Sequence, residues 1–110
     1  MLNNNIFIDE DERRCFIEWI EDADVCSLKV LIMKSDAIVG KHYHKKKDEH
    51  FLLLTGTAKK VIIGSEEYTN ISAPYKWVAP KNTYHSFDLI NGSILLSAAT
   101  KPFDSVDDYV

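Results

Sequence analysis

Three of the chain's four histidines, His42, His44 and His50, fall within nine residues, in the text GKHYHKKKDEHFLLLTG. In an extended strand, residues two apart share a face, so His42 and His44 point the same way. After the polar turn 45–48 the chain resumes as Glu49-His50-Phe51. Returning antiparallel, it turns Glu49 toward the interior that the two imidazoles face and sends His50 to the opposite side. The fourth histidine, His85, opens another strand after Pro80-Lys81-Asn82-Thr83-Tyr84 and is the natural fourth donor. His42, His44, Glu49 and His85 make a mixed nitrogen and oxygen set suited to a divalent transition metal, with Zn, Ni, Fe, Mn and Cu all eligible. Four protein ligands leave two octahedral positions for a substrate to chelate. A lone strand histidine is ordinarily a surface or core residue with a satisfied hydrogen bond. The pattern H-x-H-x4-E-x6-G, followed by P-x-N-x-x-H, is far more specific than that.

Short strands must position these residues. Residues 15–20 and 25–34 are rich in Ile, Val, Leu, Phe and Trp and are bounded by the polar clusters EDAD and KSDA. Two short apolar runs, 51–54 and 61–63, flank a turn at Thr55-Gly56-Thr57. Pro74 separates 68–73 from 75–79, since proline cannot donate to a central ladder. Asn91-Gly92 inside 89–96 is the strongest short hairpin signal in the chain. Eight to ten strands with regular turn signals predict an all-β sandwich or barrel, with no amphipathic helix and at most one helical turn over 104–109.

The chain has 110 residues, 45% of them hydrophobic, enough for one domain over 1–110 with a barrel core at about 25–100. Its net charge of −4 argues against a nucleic-acid partner, whose phosphates need a basic face. No apolar run approaches membrane-spanning length. The opening MLNNNIFIDEDERR has neither a basic nor an apolar leader segment, so a cytoplasmic location is expected. Eight of the 17 acids lie between Asp9 and Asp24, while Lys45, Lys46 and Lys47 adjoin the histidines. Those lysines read as a solvated turn, with diphosphate attraction the sharper option. Cys15 and Cys26, each in an apolar stretch, read as inert buried thiols. Trp19 and Trp77 read as packing residues before sugar-stacking ones.

His42, His44, Glu49 and Gly56 resemble the first cupin motif, and Pro80 and His85 the second, with Asn82 at the position usually held by glycine. Asparagine tolerates the positive φ that glycine would supply there. The resemblance implies a single-domain cupin β-barrel or jelly roll of the small cupin 2 type. The text around His42 is most similar to metal-binding cupin domains of capsular-polysaccharide epimerase/reductases. Asp11-Glu12-Arg13 and the tail from Pro102 to Tyr109 resemble the opening and closing segments of nucleotide-sugar ketoisomerases and 3,5-epimerases. These similarities imply a small-molecule substrate such as a nucleotide-sugar, a homodimer, and proton transfer beside a carbonyl.

Two forms of that chemistry fit the residues. A metal held by His42, His44, Glu49 and His85 polarises the carbonyl, and a base outside the ligand set, with Tyr84, Tyr75 and Glu18 eligible by type, takes the proton. In the metal-free form, His42 or His44 is the base. An Fe-dependent dioxygenase and a noncatalytic sugar-binding cupin are the competing classes, since the fold alone does not separate them.

Overall fold

The computed structural model describes residues 6–21 and 23–110. The first five residues of the leader reading and Asp22 of the acidic stretch lie outside them. Ten strands are present among the described residues: β1 (Phe7–Glu10), β2 (Cys15–Glu18), β3 (Ser27–Ile32), β4 (Ala37–His42), β5 (Glu49–Thr55), β6 (Thr57–Ile63), β7 (Glu66–Ser72), β8 (Tyr75–Ala79), β9 (His85–Leu89) and β10 (Ile94–Ala99). One 3₁₀ turn, Ser105–Asp107, follows. This is the all-β architecture expected, and the tail contains the single turn expected of it. No helix among the described residues is long and apolar enough to cross a membrane.

Two four-stranded antiparallel sheets, ordered β3-β10-β5-β8 and β4-β9-β6-β7, face each other as a jelly roll. Alternation along each strand decides which side chains fill the space between them. Leu31, Phe51, Leu53, Trp77 and Leu95 come from the first sheet, and Val39, Val61, Ile63, Phe87 and Leu89 from the second. Phe51, Trp77 and Phe87 pack as a trio with ring centroids 4.7–6.3 Å apart. Trp77 is thus a packing residue, as its sequence context suggests.

The turn chemistry corrects one reading. Asn91-Gly92 does form a turn, but β9 and β10 belong to different sheets, so it is a crossover between layers and not a hairpin. Thr55-Gly56-Thr57 likewise carries the chain from one sheet to the other. Gly56 has φ +94°, and a Cβ there would fall 2.7 Å from the Cα of Ser93. The tight two-residue hairpin is instead Gly64-Ser65, joining β6 to β7 with Ile63 opposite Glu66. Its glycine supplies the positive φ that such turns demand.

β1 and β2 form a two-stranded sheet of their own. That isolation overturns the expectation for the cysteines. Cys15 lies on this hairpin and Cys26 just ahead of β3, and both are exposed, because neither segment has an interior to enter.

Candidate functional site

One β-bulge sets the position of His42. On β4, Val39 pairs with Phe87 and Gly40 with Ser86, then Lys41 is skipped and His42 pairs with His85. Regular pairing would have put His42 opposite Tyr84 and on the outer face. The extra residue turns it inward, across from His85, with ring centroids 4.7 Å apart. Gly40 and Lys41 both take positive φ to make the bulge, and a Cβ on Gly40 would sit 2.9 Å from the His85 carbonyl oxygen.

Glu49 begins β5 and shares its inward face with Phe51 and Leu53. His44 follows the end of β4, and His85 opens β9 above Phe87. Asn82 has φ +63°, as expected where glycine is usual, and its N–H donates to the His44 carbonyl. Asp48 accepts from the Lys81 N–H at 2.8 Å, tying the same loop to the turn before β5. The four donors expected to act together are therefore brought together: one ligand atom from each of His42, His44, Glu49 and His85 lies within 4.8 Å of the others. Three are buried and His42 is half-buried.

The donors are in ligating form. Nδ1 of His44 faces the Asp107 carbonyl oxygen at 2.8 Å and Oδ1 of Asp108 at 3.1 Å, so it carries the proton and leaves the lone pair on Nε2. That lone pair points at Oε1 of Glu49, 2.7 Å away, and neither atom has a hydrogen-bond partner among the described residues. The other carboxylate oxygen of Glu49 accepts from the Ser97 hydroxyl at 3.0 Å. Burial pushes the His85 imidazole down to about 4, with Glu49 opposing and His42 and His44 adding to the shift. Burial, then His44, also lowers His42. For Glu49 burial acts upward, but His85, His44 and Ser97 outweigh it and hold the carboxyl below its ordinary value. At neutral pH His42 and His85 therefore offer free imidazole lone pairs and Glu49 a carboxylate. Buried atoms this close, with lone pairs converging on one region, fit a divalent cation with nitrogen and oxygen ligands.

A cavity of about 80 Å³ adjoins the cluster, lined by Lys29, Gly40, His42, Glu49, Phe51 and Ser97 among others. Lys29 was not expected there. Exposed overall, it stands opposite Ser97 and shares its phase on β3 with Leu31, which packs on the core, so a lysine in the core-facing phase of a strand was the available signal. The bases suggested by residue type lie elsewhere. Tyr84 is 39% exposed and is not among the residues lining this cavity. Tyr75 packs against the core. Glu18 and Trp19 line a separate groove of about 650 Å³ between 17–25 and β3. His50 occupies the opposite face of β5 from Glu49, as expected.

Of Lys45, Lys46 and Lys47, the first two are exposed, as a solvated turn requires, and Lys47 alone departs from that reading by being buried. Lys45 lies 4.3 Å over the Tyr109 ring, Lys46 is 3.5 Å from Asp104, and Lys47 is only 3% exposed, 5.9 Å from the Phe103 ring. The C-terminal segment lies against all three, which their polar sequence context gave no reason to expect.

A family model described as the polysaccharide biosynthesis C-terminal domain matches residues 9–78, a span that contains His42, His44 and Glu49 and ends before His85. No curated protein matches the chain significantly. Among solved structures, a 3,4-ketoisomerase from Helicobacter canadensis is similar at 17% identity and TM-score 0.79, over 96% of this chain and 86% of that one. A dTDP-4-dehydrorhamnose 3,5-epimerase from Bacillus anthracis, with TDP and PPi bound, matches at 16% identity and TM-score 0.77, over 94% and 73%. The capsular polysaccharide assembling protein CapF of Staphylococcus aureus matches at 23% identity and TM-score 0.65, over 94% of this chain but only 33% of that one. These likenesses establish the cupin jelly roll that the motifs resemble.

Proposed function

The chain belongs to the polysaccharide biosynthesis C-terminal domain family, and on that premise we propose that it is a nucleotide-sugar isomerase or epimerase working by metal-assisted proton transfer beside a carbonyl. The observation that carries the reading is the convergence of His42, His44, Glu49 and His85 next to a cavity, in a fold that a ketoisomerase and an epimerase of nucleotide-linked sugars share. Zn, Ni, Fe and Mn all suit this donor set. A divalent ion bound there supplies Lewis acidity to a substrate oxygen.

The chain's own residues do the rest. Ser97 holds Glu49 so that Oε1 faces His44. When a base outside the donor set takes the proton beside the carbonyl, negative charge is left on oxygen, and the cationic side chain of Lys29 belongs to the lining of the cavity in which that charge develops. Phe51, Phe87, Leu31 and Leu95 make the remaining wall apolar, which strengthens those interactions. The cavity is small, so a sugar's reacting edge is what it receives, and the nucleotide extends outside.

A His-assisted form has one observation in its favour. His42 is the histidine that lines the cavity, and its lowered pKa keeps it a free base at neutral pH. Metal analysis separates the two forms. Bound metal after reconstitution supports the first, and none under any of the four ions leaves only the second.

A cytoplasmic homodimer belongs to the same reading. β3 is an edge strand, and its outward residues Leu28, Val30 and Ile32 are 60–72% exposed. A second copy of this chain is the occupant that fits, because an apolar stripe on an edge strand is complementary to itself under a two-fold axis.

A further inference from the structure

Three residues before Val110, the segment around Asp107 crosses back over the H-x-H turn. Asp107 is buried although it sits in a short 3₁₀ turn at the surface. Its carboxylate accepts from the backbone N–H groups of Lys45 and Lys46 at 2.9 and 3.2 Å, capping the turn between β4 and β5. Its carbonyl oxygen accepts from Nδ1 of His44 at 2.8 Å, and Oδ1 of Asp108 lies 3.1 Å from the same nitrogen. One residue further, Tyr109 pairs with Tyr43 through both backbone hydrogen bonds, at 2.8 and 3.1 Å, and their rings stack 5.3 Å apart. Nζ of Lys45 lies over the Tyr109 ring, 4.3 Å from its centroid. Asp104 begins the 3₁₀ turn by accepting from the Val106 N–H at 3.0 Å and also meets Lys46 at 3.5 Å.

We propose that the C-terminal segment 104–109 is a positioning clamp for His44: anchored by the Asp107 carboxylate, it fixes the ring's orientation and keeps the proton on Nδ1, so that Nε2 faces Glu49. The physical reason is economical. An imidazole attached at the end of a strand can rotate about its side-chain torsions and exchange tautomers. Two acceptors aimed at one ring nitrogen remove both freedoms, and those acceptors hold their place only because residues 43, 45 and 46 grip the segment that carries them. Asp107, Asp108 and Tyr109 are thus positioning residues, acting through His44. The value of this for ion binding rests on the proposed metal site, but the orientation of the ring and the place of its proton do not.

The test uses the full-length protein labelled with ¹⁵N-histidine, observed by NMR with the metal removed, and then zinc titration by calorimetry. In the wild type the His44 Nδ1 proton is expected to be protected from solvent exchange. Asp107→Ala should abolish that protection, and Zn²⁺ affinity should fall about 10–100-fold, the range for losing a partner behind a metal ligand. Asp107→Asn, which keeps a carbonyl acceptor for the turn, should restore most of both. Tyr109→Ala loosens the same clamp without touching the Asp107 side chain and should also lower protection. A protected Nδ1 proton in both Asp107→Ala and Tyr109→Ala would overturn the clamp, whatever zinc does. If wild-type protein shows the protected proton but binds no zinc, the metal reading falls and the clamp stands.

Discussion

Nε2 of His44 and Oε1 of Glu49 lie 2.7 Å apart, at the distance of a strong hydrogen bond, and yet neither makes one. With the His44 proton on Nδ1 and the Glu49 carboxyl ionised, two lone pairs meet across that gap. A cation held by both lone pairs removes that repulsion, and so the pair carries more weight than the count of histidines.

Removing either partner should therefore remove the ion. His44→Ala or Glu49→Gln should weaken Zn²⁺ binding by more than about 100-fold, beyond the loss expected for residues behind the ligands. Calorimetry and metal content after dialysis check this. Full metal occupancy in His44→Ala would contradict the ligand assignment.

Lys29→Met should leave metal content unchanged and lower turnover about 100-fold or more, in line with the loss of one charge-stabilising group at a reacting oxygen. Steady-state kinetics beside metal analysis separate this from a structural effect. Lys29 lines the cavity but belongs to no part of the donor cluster.

Gly40→Ala should disturb the site through the backbone. The new Cβ would lie 2.9 Å from the His85 carbonyl oxygen and 3.1 Å from its ring, at φ +90°. A cost of about 1–3 kcal/mol is expected, read as a lower urea midpoint, together with weakened zinc binding as His85 is pushed from His42.

His42, His44 and Glu49 were legible in the sequence because their spacing is local, and His85 through its own motif. The bulge that turns His42 inward and the end of β4 before His44 were not, since a plain strand face was the expectation. Asn82 carried its own signal in its tolerance of positive φ. Layer assignment was not legible. Asn91-Gly92 and Gly64-Ser65 have the same local turn chemistry, and only packing decides that the first crosses between sheets while the second closes a hairpin. The grip of Asp107 on His44 spans 63 residues and depends on a backbone carbonyl, which no residue type announces. The exposure of Cys15 escaped for a related reason, since an apolar strand reads the same whether or not it has a sheet to pack on.

Asp36 ties the crossover to the β3–β4 turn, accepting from the Asn91 N–H at 2.7 Å and from Lys59 at 3.3 Å. The Asn91 hydrogen bond first, then Lys59, holds its carboxyl below the usual value. A lowered folded-state pKa gives stability that is present above the unfolded value, about 3.9, and lost as pH falls through the folded one. Asp36→Ala should lower the urea midpoint at pH 7 and have little effect near pH 2. Equal loss at both would contradict the assignment.

Val30→Glu, in the exposed stripe of β3, should convert a dimer to a monomer without unfolding it, as checked by sedimentation and circular dichroism. A wild-type chain that sediments as a monomer at micromolar concentration would refute the dimer.

The central claim is proton transfer beside a carbonyl, and the most direct measurement is solvent isotope exchange. Metal-reconstituted protein is incubated in D₂O with a panel of nucleoside-diphosphate-linked keto sugars, and the sugars are read by mass spectrometry and NMR. The account predicts deuterium at a carbon adjacent to the carbonyl of at least one sugar, reduced by Lys29→Met and lost in Glu49→Gln. No incorporation across the panel by fully metallated wild-type protein would contradict it.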